Sequence, residues 1–68
     1  MNTVARVYAL AKEHDISIYQ LAQKSGISYS TIKTTAKRCG QLKIDTIERI
    51  CEALEITLSE FFAEPATE

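Results

Sequence analysis

Apolar residues recur at intervals of three and four along the chain and nowhere alternate with period two, so the pattern predicts helices throughout. Val4, Val7, Leu10 and Ala11 make one stripe of a first helix from about Thr3 to Glu13, with Asn2 or Thr3 as N-cap and His14-Asp15 as its break. A second helix opens at Ser17, whose partner three residues on is Gln20. This S-x-x-Q capping box lets each side chain satisfy the other residue's backbone amide. Ile18, Leu21, Ala22 and Ser25 share one face of it, and Gly26 stops it in the left-handed conformation glycine tolerates best.

Ser28 reads as another N-cap, so a third helix starts almost where the second ends. Two helices joined across so short a turn, with glycine in it, must cross steeply, which is helix-turn-helix geometry. A fourth helix, about Ile44 to Leu54, has the most regular stripe: Ile44, Ile47, Ile50, Cys51 and Leu54. A fifth runs from Leu58 to about Phe62, opened by Thr57 and Glu60 as a further capping box, and Pro65 and the polar tail 65–68 close the chain. The expected fold is all-α: a five-helix bundle forming one domain over residues 1–64, with the helix-turn-helix at about 17–37. Phe61 and Phe62 point about 100° apart on their helix. One must pack on Ile47, Ile50 and Leu54; the other is either buried too or left at the surface as a dimer contact.

Composition narrows the class. With 68 residues, 46 % hydrophobic and 25 % charged, this is an ordinary globular composition. A domain of this size buries only about 60 % of its unfolded surface, which leaves little room for an enzyme cleft. Two cysteines make no disulfide framework and no run of 18 apolar residues occurs, so a reducing cytoplasm is the expected setting, away from membranes. One histidine and two cysteines supply no metal set, no Ser, His and acid lie at triad spacing, and no cofactor or small-molecule ligand is indicated. Cys51 reads as a core thiol, Cys39 as an exposed one beside Lys37 and Arg38, and His14 as a partner for the first helix's dipole.

The net charge of −1 conceals a division. Residues 1–43 carry seven cations and two acids, a balance of +5, while residues 44–68 carry one cation and seven acids, a balance of −6. The first half is drawn to polyanions and the second faces water or another partner.

The third helix is the most informative. On a helical wheel Tyr29, Lys33, Lys37, Ser30 and Thr34 fall within an arc of about 140°, and no acid lies among them. Ile32 and Ala36 are the apolar contacts on the other side. Lysines can pair with phosphates or with guanine O6 and N7, hydroxyls can meet any base edge, and tyrosine can meet a phosphate or a thymine methyl. The helix starts at Ser17 and Ser28 add amide-rich, dipole-positive ends suited to phosphate.

The stretches SIYQLAQKSGISYSTIK (17–33) and DTIERICEALEITLSEFF (45–62) resemble the Cro/repressor-type helix-turn-helix family of bacterial and phage regulators. The resemblance is carried by Leu21-Ala22, Gly26, Ile27-Ser28 and Ile32, and by the ending Ala53-Leu54, Ile56 and Leu58 to Phe62. It implies a DNA-binding domain whose third helix enters the major groove, usually as a symmetric homodimer on a palindromic operator in double-stranded DNA. It assigns base reading to Tyr29, Ser30, Lys33 and Thr34. Phosphate binding falls to Ser17, Tyr19, Ser28, Lys37, Arg38 and Lys43, and a dimer contact to Phe61 or Phe62. Many members carry Gln at the second position of the helix-turn-helix; here it is Ile18, and its contact is either absent or supplied by Tyr19 or Gln20. An Arg–Glu pair common between the first and third helices is replaced at both positions, by Ala11 and Ala36. The function expected is a small transcriptional repressor. The competing reading is a protein-interaction module of the same fold, an antitoxin or anti-regulator acting through the acidic fourth and fifth helices.

Overall fold

Side-chain caps decide where three of the helices begin. In the computed structural model, which describes residues 2–63, the Asn2 side chain accepts the Ala5 amide at 3.0 Å and opens α1, Thr3–Glu13. The Ser17 hydroxyl accepts the Gln20 amide at 3.0 Å and the Gln20 side chain accepts the Ser17 amide at 2.9 Å, which opens α2, Ile18–Ser25. The same reciprocal box between Thr57 and Glu60 opens α5, Leu58–Phe62. The other two helices, α3 (Tyr29–Lys37) and α4 (Ile44–Leu54), start behind Ser28 and Lys43 with no side-chain cap bond. Ser28 is thus a correction to the expected capping. Its backbone has the N-cap form, but ψ is 129° where Ser17 and Thr57 have 162° and 164°, and the Thr31 amide bonds to its carbonyl at 3.0 Å instead. The N3 residue, Thr31, also lacks the long polar side chain that would complete a box.

The first four helices end alike. At the residue after the helix or next beyond it the chain turns left-handed, at Asp15 (φ 58°), Gly26 (70°), Cys39 (55°) and Glu55 (58°). The amide of each following residue then reaches back five positions: Ile16 to Ala11, Ile27 to Ala22, Gly40 to Thr35 and Ile56 to Cys51, all at 3.0 Å. This is the Schellman closure, which satisfies the last carbonyls of a helix. Three of the four have one form: a left-handed residue, a half-buried isoleucine, then the Ser or Thr that precedes the next helix (Asp15-Ile16-Ser17, Gly26-Ile27-Ser28, Glu55-Ile56-Thr57). Each isoleucine packs on the core, so each turn is fastened from inside.

Only Gly26 is free of the penalty that Cβ imposes in this conformation. Glu55 bears it and also places a negative charge at the end of α4, whose last turn holds no basic residue. Glu55→Gly is therefore expected to stabilise the fold by about 1 kcal/mol, the left-handed strain relieved less the extra freedom of glycine in the unfolded chain. For a domain of this size that raises the melting temperature by about 4–8 °C. An unchanged or lower midpoint in a thermal melt would contradict it.

The helices enclose a core of Val4, Val7, Leu10 and Ala11 from α1, Leu21 from α2, Leu42, the α4 residues Ile47, Ile50, Cys51 and Leu54, and Phe61. Ala22 and Ile32 are also buried. α2 packs against both α3 and α4, α1 touches α2 and α3, and α5 closes on α4. Two details depart from the expected stripes. Ile44 is 56 % exposed, because it occupies the first position of α4 at the stripe's edge, beyond the reach of the core. Phe61 is fully buried while Phe62 stays 43 % exposed, their rings edge to face at 5.0 Å. A buried Phe61 offers no surface to a second copy, so of the two expected dimer contacts only Phe62 is available. Burial, with the charges of Glu48 and Glu60 nearby, pushes the Cys51 thiol up, so it remains an unreactive core group. Pro65 and the tail 65–68 lie outside the described residues.

Candidate nucleic-acid interface

The face of α3 turned away from the core is built by the spacing of its sequence. Ile32 is fully buried and Ala36 half-buried, one turn apart, and they seat the helix. That seating turns the opposite side of the helix outward. Tyr29, Ser30, Lys33, Thr34 and Lys37 are all exposed and, with Ala36, line one shallow groove along the helix. No acidic residue occurs in α3. The four residues assigned to base reading thus share one surface with Lys37.

The phosphate candidates outside α3 divide into four groups. Tyr19, at the start of α2, reaches this surface: its ring meets that of Tyr29 edge to face, centroids 5.5 Å apart and planes at 78°. Ser28 immediately precedes α3, and its hydroxyl is free of any capping bond. Arg38 and Lys43, both exposed, stand at either end of the loop that joins α3 to α4. Ser17 lies elsewhere, in a groove lined by Tyr8, Lys12, Asp15 and Ile18 among others.

Several residues outside α3 escaped the sequence reading. Tyr8 and Lys12 are four apart on the polar side of α1 and share the groove of Ser17; their i,i+4 spacing was the available signal. Thr3 and Gln41 hold the loop after α3 in place. The Gln41 side-chain Oε1 accepts from the Thr3 amide at 2.9 Å and from the Thr3 hydroxyl at 2.8 Å, and the Thr3 hydroxyl accepts the Leu42 amide at 2.8 Å. These partners are 38 and 39 residues apart in sequence, beyond any local pattern.

Arg6 reduces the charge this surface can offer. Its Nε donates to the Phe61 carbonyl at 2.6 Å and an Nη to the Glu60 carbonyl at 2.9 Å, while its other Nη lies 4.0 Å from the Glu13 carboxylate. One cation of the basic half is therefore spent inside the protein. The remaining six are exposed. What this arrangement can do chemically is bind an extended anion: hydroxyls, ammonium groups and an aromatic ring sit on one helix, with cations at its far end and an amide-rich helix start beside it.

Among the described residues no helix is long and apolar enough to cross a membrane. A family model described as Cro/C1-type HTH DNA-binding domain matches residues 6–65. Among curated proteins and solved structures, none matches the chain.

Proposed function

Because the chain belongs to the family of Cro/C1-type HTH DNA-binding domains, we propose that it acts as a transcriptional repressor, with α3 lying in the major groove of a palindromic operator. The observation that carries this is the exposed, acid-free face of α3, where Tyr29, Ser30, Lys33, Thr34 and Lys37 stand together. The major groove of B-DNA admits one α-helix, and these side chains match what its base edges and flanking phosphates offer. Tyr29, Ser30, Lys33 and Thr34 read bases. Ser17, Tyr19, Ser28, Lys37, Arg38 and Lys43 hold phosphates. Repression needs nothing beyond occupancy, since a domain seated in the groove excludes other proteins from the same DNA.

The working unit is a homodimer of domains spanning residues 1–64, acting in the cytoplasm. Leu58 and Phe62 are four apart on α5 and both exposed, with Glu60 between them in sequence, so they present a small apolar face on the acidic side of the molecule. Contact there leaves both basic faces free for half-sites about 34 Å apart. The same apolar residues support the second reading, an interaction module that binds a different protein through α4 and α5.

Selection from a random duplex pool, followed by titration of the selected duplex over a range of salt, tests the proposal. One palindrome is expected to emerge. With three cation–phosphate contacts per subunit (Lys37, Arg38 and Lys43), log K should fall against log salt with a slope of about −2.7 per subunit. Tyr29→Ala and Ser30→Ala should relax base preference, while Lys37→Ala weakens all duplexes alike. A flat salt dependence, or no complex at low salt, would defeat the repressor reading in favour of the interaction module.

A further inference from the structure

Tyr19 and Tyr29 come from different helices, and each is substantially exposed, at 55 % and 38 %. Neither ring is fixed by the core. The turn through Gly26 nevertheless brings them edge to face at 5.5 Å. One helical turn beyond Tyr29, the Nζ of Lys33 lies over the Tyr29 ring, 5.8 Å from its centroid. The three side chains thus form a row running from the start of α2 onto the base-reading face of α3: ring, ring, ammonium.

We infer that Tyr19 is a positioning residue for sequence recognition: its ring fixes the rotamer of Tyr29, and Tyr29 in turn holds the Lys33 ammonium in place. The inference rests on the DNA-reading role of α3 proposed above and assigns to Tyr19 a task different from phosphate contact. The physical basis is conformational. An exposed tyrosine on a helix samples more than one χ1 well, and an exposed lysine many more combinations. Each rotamer frozen on binding weakens the complex, and a side chain that can be frozen in several ways meets several bases comparably well. An edge-to-face partner selects one orientation of Tyr29, and the attraction between the Lys33 cation and the ring face selects among the lysine rotamers. The reading surface is then arranged before DNA arrives, which lowers the cost of binding.

The ring and the hydroxyl of Tyr19 can be separated experimentally. Tyr19→Phe keeps the ring and removes the group that would donate to phosphate; Tyr19→Ala removes both. The exposure of the site leaves folding intact in each variant, which a thermal melt checks. Two measurements decide the matter. The first is the affinity for the wild-type-selected duplex relative to its single-base variants. The second, on free protein, is the proton chemical shift of the Lys33 ε-methylene, which ring current moves upfield when the ammonium lies over Tyr29.

For Tyr19→Ala the expected result is a roughly fivefold fall in the preference ratio, the scale of one edge-to-face aromatic contact, at the base pairs that Tyr29→Ala and Lys33→Ala also affect. The salt slope stays unchanged, and the Lys33 resonance moves towards that of free lysine. Tyr19→Phe should preserve both the ratio and the shift. If both variants lose affinity equally for every duplex, or if the Lys33 resonance is unmoved in Tyr19→Ala, Tyr19 is a phosphate contact only and the inference is wrong. If the wild type itself shows no preference among duplexes, the repressor reading fails first and takes this role with it.

Discussion

Phe61→Ala is expected to remove about 4 kcal/mol of stability, close to the whole of what a domain of 68 residues possesses. Phe61 is the largest fully buried side chain among the described residues. Its ring closes α5 onto α4, and alanine leaves a void that the short helix cannot fill by shifting, because Arg6 holds its backbone. Phe62→Ala is the contrast. Phe62 is half-exposed, and its loss forfeits an edge-to-face contact at 5.0 Å worth about 1 kcal/mol. Urea unfolding followed by circular dichroism separates the two: the first variant should be largely unfolded without denaturant, the second should shift the midpoint only modestly. Sedimentation of the second would also show weakened self-association if Phe62 lies at the dimer contact. Equal effects of the two substitutions would mean that α5 is seated differently.

Arg6→Met should cost about 2–3 kcal/mol, although the new side chain is apolar, unbranched and compatible with a helix. The five residues of α5 cannot hold themselves in place, since the last carbonyls of any helix lack partners and one turn has too few internal bonds to compensate. Arg6 supplies two donors to those carbonyls from a side chain only 12 % exposed. Lysine in its place restores the charge but not the paired, fixed geometry, so Arg6→Lys should recover less than half of the loss. Affinity for DNA, corrected for the folded fraction, should stay at the wild-type value in both variants, with an unchanged salt slope. A slope shallower by about 0.9 would show instead that Arg6 binds a phosphate.

The contrast between Arg6 and the other cations marks where sequence reading ends. The helix boundaries were legible because the apolar stripes repeat every three or four residues and because Ser17 and Thr57 are followed three positions on by Gln20 and Glu60. The outer face of α3 was legible for the same reason: once Ile32 and Ala36 face inward, 100° per residue places the rest. Charge alone, however, counted Arg6 among the cations facing a polyanion, and only tertiary packing brings it to the end of α5, 55 positions away in sequence. The turns illustrate a different limit. Gly26 announced a left-handed residue, but Asp15, Cys39 and Glu55 adopt the same conformation without glycine, their strain being outweighed by the amide bonds and, at Asp15 and Glu55, the half-buried isoleucine that follow. Ser28 had the residue type and the backbone form of a cap, yet its hydroxyl makes no capping bond. Ile44 continued a periodic pattern past the point where there was a core to meet. The meeting of Tyr19 and Tyr29 depends on the crossing of two helices, which no local pattern encodes.

Three of the four connections between helices share the three-residue form closed by an isoleucine, and the fourth, residues 38–43, does not. That loop is fastened by Thr3, which bonds the Gln41 side chain and the Leu42 amide, and by Leu42 in the core. The α2–α3 pair and the loop are therefore seated on different supports: one is locked within its own turn, the other leans on the first residues of α1. In the function proposed above, base reading falls to the locked element and the grip of Arg38 and Lys43 on the backbone to the leaning one. On that proposal, sequence preference and overall tightness draw on different fastenings within one domain.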